Sequence, residues 1–269
     1  MICPQCERLI GVNESRCPFC GAWRPGLYGW SPVLQRLFGG RIDLIAIITM
    51  SCVALYVASL LLDPGAMFQW RGVFGILSPG TRALYQLGMT SRAVFQMGWW
   101  WTVLTAIYLH GGVLHIFFNL IWIRNLGPAA TQAYGPARAF VIFSIAGAVG
   151  FVVSDLASAS PSIGASGSIF GLLAALIVYG RRHGNAALTA QLWQWAIVVF
   201  VMGFVMQGVN NWAHAGGFAG GWVCAELMRS SEEKRESPAV QVLALLLLVV
   251  TAVGIPLSFV RVTAMMLAR

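Results

Sequence analysis

Seven apolar runs, each close to the roughly 20 residues that a helix needs to cross a bilayer, dominate this chain. They lie at about 43–62, 103–123, 138–157, 165–180, 192–209, 212–228 and 239–260 of 269 residues. Such segments survive in hydrocarbon only when every backbone hydrogen bond closes internally, which helices achieve. Charged residues make up 10% of the chain, against about 25% in soluble domains, and the mean hydropathy is +0.74. The expected fold class is all-α, a polytopic membrane helical bundle.

Orientation follows from the cations. The N-terminus is polar and cysteine-rich, with no basic stretch leading into an apolar core, so no signal peptide is expected and the first run anchors the chain. With seven spans and the N-terminus inside, twelve Lys and Arg residues fall on inner segments and five, Arg71, Arg82, Arg92, Arg261 and Arg269, on outer ones. That asymmetry is the positive-inside pattern. The net charge of +8 is then explained by topology and by the anionic lipid of the cytoplasmic leaflet, so nucleic acid is not needed as a partner. A multi-pass position in a cell membrane is expected, and the composition favours a bacterial cytoplasmic membrane.

Four of the six cysteines stand in the first twenty residues, as Cys3-Pro-Gln-Cys6 and Cys17-Pro-Phe-Cys20-Gly21. Each Cys-Pro-x-Cys turn points two sulfurs at one place, and two turns complete a tetrahedral thiolate site for zinc. Two disulfides are the alternative, which a reducing cytosol disfavours. Four thiolates leave no position for a catalytic water, so the Zn2+ is structural. A segment this short has no core, and metal binding supplies its folding energy. This zinc-binding knuckle module, similar to a small zinc ribbon, suits docking to a cytoplasmic partner. Pro25, Gly26, Gly29, Pro32, Gly39 and Gly40 mark a linker. The expected domains are a head at 1–24, a linker at 25–42, a catalytic core at 43–229, and a cytoplasmic loop with a seventh span at 230–269. Cys52 and Cys224 stand alone in apolar runs and read as small core residues.

Between the first two runs, Trp70, Phe74, Tyr85, Phe95 and Trp99-Trp100-Trp101 alternate with Arg71, Arg82 and Arg92. The mixture suits a segment in the membrane interface. It is either an ordinary aromatic belt or a defined element flanking a site.

Polar groups at membrane depth are costly and mark functional sites by default. On the second run His115 and Asn119 are one helical turn apart on the same face, with His110 rotated roughly 140° from His115. On the fourth, Ser166 and Phe170 share a face; on the sixth, His214, Gly217 and Gly221 do the same. Gly217 and Gly221, doubled by Gly216 and Gly220, form small-xxx-small ridges that allow two backbones to approach closely. Close approach brings His214 toward the Ser166 hydroxyl, a pairing suited to nucleophilic catalysis. A single buried histidine or asparagine is most simply an interhelical hydrogen bond. Three helices delivering polar groups to one layer argue for a site.

Taken in that order, His110-x4-His115-x3-Asn119, Gly164-Ala165-Ser166-Gly167 and Ala213-His214-x2-Gly217-x3-Gly221 resemble the rhomboid family of intramembrane serine proteases. The motifs are weak singly and specific together. The resemblance covers the six runs from 43 to 229 and implies a six-helix core, with the seventh span and the cysteine head outside it. It implies Ser166 as nucleophile and His214 as general base, in a dyad without an acidic third member. It further implies an oxyanion hole from His115, Asn119 and the Ser166 N–H, His110 nearby, and dyad support from Phe170, Gly217 and Gly221. No cofactor is required for catalysis, and the substrates are transmembrane proteins. Asp155 is expected at the outer end of the third run. Two positions depart from the family: Trp101 is followed by Thr102 where many members carry arginine, and Phe170 stands where a tyrosine is common.

The expected chemistry is attack by Ser166, an acyl-enzyme, and hydrolysis by water near the outer membrane face. Residues 207–212 form either a lid or a plain connection. A non-catalytic rhomboid-like binder of membrane helices is the alternative function. A transporter requires charged groups along a path through the bilayer, and the runs offer almost none.

Overall fold

The protein is described here from a computed structural model, which covers residues 2–3, 5–11, 14–23, 44–69, 75–206, 208–228 and 236–268. The linker at 25–42, Arg24, Trp70, Arg71, Phe74, Gln207, Arg229, Lys234, Arg235 and Arg269 lie outside the described residues.

Among the described residues the chain runs through α1 (Leu44–Leu62), α2 (Thr81–Gln86), α3 (Arg92–Gln96), α4 (Thr102–Thr105), α5 (Val113–Tyr134), α6 (Pro136–Ala157), α7 (Ser166–Arg182), α8 (Ala186–Val205), α9 (Asn211–Leu227) and α10 (Pro238–Leu267). Every apolar run contains a long helix. Four of them, α1, α6, α8 and α10, are long and apolar enough to cross a membrane. A fifth arises if the second run counts as one span, but it is bent by 94° between Tyr108 and Val113. The straight helix expected from 103 onward is therefore interrupted. Gly111-Gly112 lies at the break, with Gly112 extended at φ 169° and ψ 167°, a local conformation that ends one helical piece before the next begins.

α7 and α9 have 17 residues each, about 26 Å at 1.5 Å per residue, shorter than the ~30 Å hydrocarbon layer. α7 is enclosed by protein, whereas α9 buries only the face that carries His214 and the glycines and leaves Trp212, Val223 and Leu227 exposed. Residues 167–178 of α7 are buried, whereas only 17% of the α8 span and 28% of α1 are. α6, α7 and α9 form the tightest packing, with α1 and α5 on one side and α8 outside. Apolar residues of α1 and α8, among them Met50, Leu61, Ile197 and Phe204, are left exposed on the outside of the helices.

A single residue, Gly135, joins α5 to α6. Its φ of +88° favours glycine, and Pro136 opens the next helix, where its missing N–H costs nothing. Glu236 closes this corner. The Arg138 N–H donates to its Oε1 at 2.8 Å, so the residues just ahead of α10 cap α6 with a carboxylate at its positive end.

The other half of α10 props the interfacial stretch. Trp101 Nε1 donates to Ser258 Oγ at 2.9 Å, and Gln86 Nε2 to Thr263 Oγ1 at 3.2 Å. The Arg261 guanidinium lies 5.6 and 5.2 Å from the ring centroids of Trp99 and Trp101. This stretch is a defined element of short helices, and Trp99 and Trp101 are buried in it. Cys52 and Cys224 are free and buried, as small core residues.

Candidate active site

α7 begins at Ser166, so the N–H groups of its first turn have no intrahelical acceptor. Gly164, two residues ahead, has a φ of +116°. A Cβ there would lie 2.6 Å from His115 Nε2 and 2.8 Å from its Cε1. The glycine thus serves both the turn and the close approach of an imidazole, which the sequence alone did not single out. The Gly164 N–H donates to the Ala106 carbonyl at 2.9 Å, tying the turn to the interfacial stretch.

His214 lies on α9, four residues after Asn210, whose side chain caps that helix by accepting from the Ala213 N–H. The ring is 4% exposed and stacks on Phe170 of α7 at 4.4 Å between centroids and 20° between planes. Its Nδ1 is buried with no hydrogen-bond partner among the described residues. Packing, not a carboxylate, orients the imidazole.

The two glycine ridges of α9 serve different neighbours. Gly217 and Gly221 face α7, where Cβ atoms would lie 2.7 Å from the carbonyl carbon of Gly167 and 2.6 Å from that of Gly171. Gly216 and Gly220 face α6, meeting Val153, Gly150, Val149 and Ala146. Gly150 of α6 completes the junction, since a Cβ there would be 2.6 Å from the Ala213 carbonyl oxygen. α7 and α9 therefore touch backbone to backbone. Gly167, next to Ser166, faces the carbonyl of Ala213, next to His214.

α5 supplies the third set of groups. The Gly111 N–H donates to His115 Nδ1 at 3.2 Å, which leaves the proton of a neutral ring on Nε2, the atom beside Gly164. Asn119 is 5% exposed, and its Nδ2 donates to the His115 carbonyl at 2.7 Å, leaving one amide hydrogen uncommitted. His110 differs from the helical expectation. It lies within the break, so the 140° rotation does not apply, and its ring meets His115 edge-on at 5.1 Å. Neither ring nitrogen of His110 has a hydrogen-bond partner among the described residues.

The departure at Thr102 also acquires a structural setting. Thr102 Oγ1 donates to Thr90 Oγ1 at 3.2 Å and Thr90 Oγ1 to Asp155 Oδ2 at 3.0 Å. Arg92 Nε and Nη2 donate to the carbonyls of Asp155 and Leu156, each at 2.7 Å. The arginine that grips the end of α6 thus comes from α3.

In the head, Cys3, Cys6, Cys17 and Cys20 place their sulfurs within 4.8 Å of one another, with pairs at 3.8 and 3.6 Å. A tetrahedron of Zn–S bonds near 2.3 Å has edges of about 3.8 Å, so the set fits such an ion. None of the four is in a disulfide. Each turn closes alike, with the Glu7 N–H donating to the Cys3 carbonyl and the Gly21 N–H to that of Cys17. Desolvation works against the Cys17 thiolate, yet N–H donors from Phe19 and Cys20 and the neighbouring thiols bring its pKa down to about 6. Cys20 is pushed up to about 12, the desolvation and adjacent sulfurs outweighing a hydrogen bond from Ala22. Four sulfurs this close together could hold a metal ion.

A family model described as the Rhomboid domain matches residues 97–231, a range that holds His110, His115, Asn119, Ser166, Phe170 and His214 but neither Thr90 and Arg92 nor the head cysteines. The rhomboid protease GluP of Bacillus subtilis is 31% identical over 180 residues, 66% of this chain and 35% of its own length. RHOMBOID-like protein 4 of Arabidopsis thaliana is 30% identical over 232 residues, 81% of this chain and 55% of its own. Inactive RHOMBOID-like protein 8 of the same plant is 29% identical over 150 residues, 53% of this chain and 42% of its own. The chain thus spans from about a third to about half of the length of these relatives.

Proposed function

The chain belongs to the rhomboid family, and from that premise we propose that it is an intramembrane serine endopeptidase that cleaves single-span membrane proteins near the outer membrane face. The observation that carries this reading is the backbone contact of α7 with α9 one residue away from both Ser166 and His214. Ser166 Oγ attacks the scissile carbonyl while His214 takes its proton. The tetrahedral oxyanion accepts from the Ser166 N–H, from Nε2–H of His115 and from the free amide hydrogen of Asn119. Each such donor is worth roughly 10² to 10³ in turnover. His214 returns the proton to the leaving amine, and water then hydrolyses the ester by the same route.

Without a third carboxylate, Phe170 and the glycine ridge of Gly217 and Gly221 hold the imidazole in place, and His110 buttresses His115. The substrate helix must unwind at the cleavage point, because an intact helix hides its carbonyls. In this reading the N-terminus is cytoplasmic, and the head at 1–24 holds a structural Zn2+ through Cys3, Cys6, Cys17 and Cys20 and docks a cytoplasmic partner. The core at 43–229 carries the chemistry, and catalysis uses no cofactor.

A relative described as inactive supports a second reading, a non-catalytic binder of membrane helices. A tagged single-span reporter, co-expressed in membranes, separates the two. The protease reading expects two membrane-derived fragments with the parent chain and none with Ser166→Ala or His214→Ala at equal abundance. Intact reporter that co-purifies with all three chains supports the binder and overturns the protease.

A further inference from the structure

The chemistry proposed above gives no task to a buried polar cluster at the start of α9. Ser154, at the end of α6, is wholly buried, and Ser162, in the segment ahead of α7, is 4% exposed. Asn210 spans both, its Nδ2 donating to Ser154 Oγ at 2.5 Å and to Ser162 Oγ at 2.7 Å. Its Oδ1 accepts from the Ala213 N–H at 3.1 Å. Both amide hydrogens and the amide oxygen are therefore committed, each to a different part of the fold. Ser162 is fixed from its other side as well, since its N–H donates to the Thr90 carbonyl at 2.9 Å.

Ser162 lies four residues before Ser166, and Asn210 four residues before His214. Glycine ridges fix how closely α7 and α9 approach, but they present no side chains that interlock. Smooth faces resist separation more than sliding, so the register of the two helices needs a directional contact. We propose that Asn210 is a positioning residue for the Ser166–His214 pair, latching the segment ahead of Ser166 to the start of the helix that carries His214. The inference rests on the protease reading. A role as helix cap alone is the competing account, since asparagine is a favoured capping residue.

The two accounts diverge in the labelling kinetics of the full chain with a fluorophosphonate probe, resolved into probe affinity and the first-order rate of adduct formation. Asn210→Ser retains a capping hydroxyl but shortens the reach to the two serines, and Ser162→Ala leaves the cap untouched. If the latch sets register, both variants slow adduct formation by about ten- to a hundredfold with probe affinity near the parent's, and by more than any fall in thermal midpoint accounts for. Their combination is no slower than the slower single variant, because both break one interaction. Parental rates in both variants, or slowing that tracks only a fall in thermal midpoint, overturns the latch. Absence of labelling in the parent chain overturns the protease reading itself and the latch with it, so the two failures are distinguishable.

Discussion

Gly221→Ala perturbs the contact on which the site geometry depends, at a distance from the chemistry. A Cβ there would lie 2.6 Å from the Gly171 carbonyl carbon, and nearer still to that residue's oxygen and Cα, whereas ordinary contact begins at 3.4 Å. Relieving the contact with that carbon alone takes the difference between those distances, 0.8 Å, and the nearer oxygen and Cα require more; the atoms met are backbone that no rotamer change can move aside. Overpacking of this kind costs about 1–3 kcal/mol in stability, and a misplacement near 1 Å costs about 10²-fold in rate. Gly220→Ala is the internal control. Its Cβ would meet the Val149 side chain at 3.0 and 3.2 Å and the Ala146 Cα at 3.3 Å, where a shift of a few tenths of an ångström suffices. The labelling rate with a fluorophosphonate should fall about 10²-fold for Gly221→Ala and less than about tenfold for Gly220→Ala, with both chains inserted at parental abundance. Equal losses in the two variants, or a parental rate for Gly221→Ala, would refute the argument that backbone contact sets the site.

Phe170→Ala should lose most reporter cleavage while still inserting, because the ring stacked on His214 is removed and Phe→Ala in a core costs about 3–5 kcal/mol; Phe170→Tyr should retain cleavage, and full activity of the alanine variant would exclude the stack as the support. The purified full chain should carry one equivalent of zinc by elemental analysis, losing it on acidification as the thiols reprotonate; undiminished zinc after joint Cys3→Ser and Cys6→Ser substitution would contradict the four-sulfur site. Burial pushes the Glu236 carboxyl above its ordinary value of 4.5, against hydrogen bonds from the Arg138 and Ala137 N–H groups and the Arg138 charge. The folded chain then holds that proton more tightly than the unfolded one, so the stability from this group is present below pH 4.5 and is lost as pH rises through the folded value. Glu236→Gln should therefore flatten the dependence of the melting temperature on pH between 4.5 and neutrality, and a steeper dependence would count against the sign.

The apolar runs and the polar layer were legible because membrane depth turns composition into geometry. Runs of about 20 apolar residues have few alternatives to helix, and Gly217 with Gly221 four residues on must share a face. Phe170 is one turn from Ser166 for the same reason, and the family resemblance placed it at the imidazole. Connections between segments distant in sequence were not legible. Nothing local in Thr90, Arg92 or Asp155 announces that α3 grips the end of α6, and nothing in Ser258 that it accepts from Trp101. The break after Tyr108 was obscured by the apolar residues on both sides of it, although Gly111-Gly112 supplied a signal that a breaker reading could have used. Asn210 was also within reach of the sequence, as an asparagine just ahead of a helix. Its second task, bridging two serines, exists only once α6, α7 and α9 are assembled.

Peptide mapping of the fluorophosphonate adduct tests the central claim most directly. Membranes carrying the full chain, labelled at neutral pH and digested, should yield a single phosphonylated peptide with the added mass on Ser166, and His214→Ala should abolish it while leaving the chain folded. An adduct on any other serine, or undiminished modification of Ser166 in the His214→Ala chain, would contradict a hydroxyl activated by that imidazole.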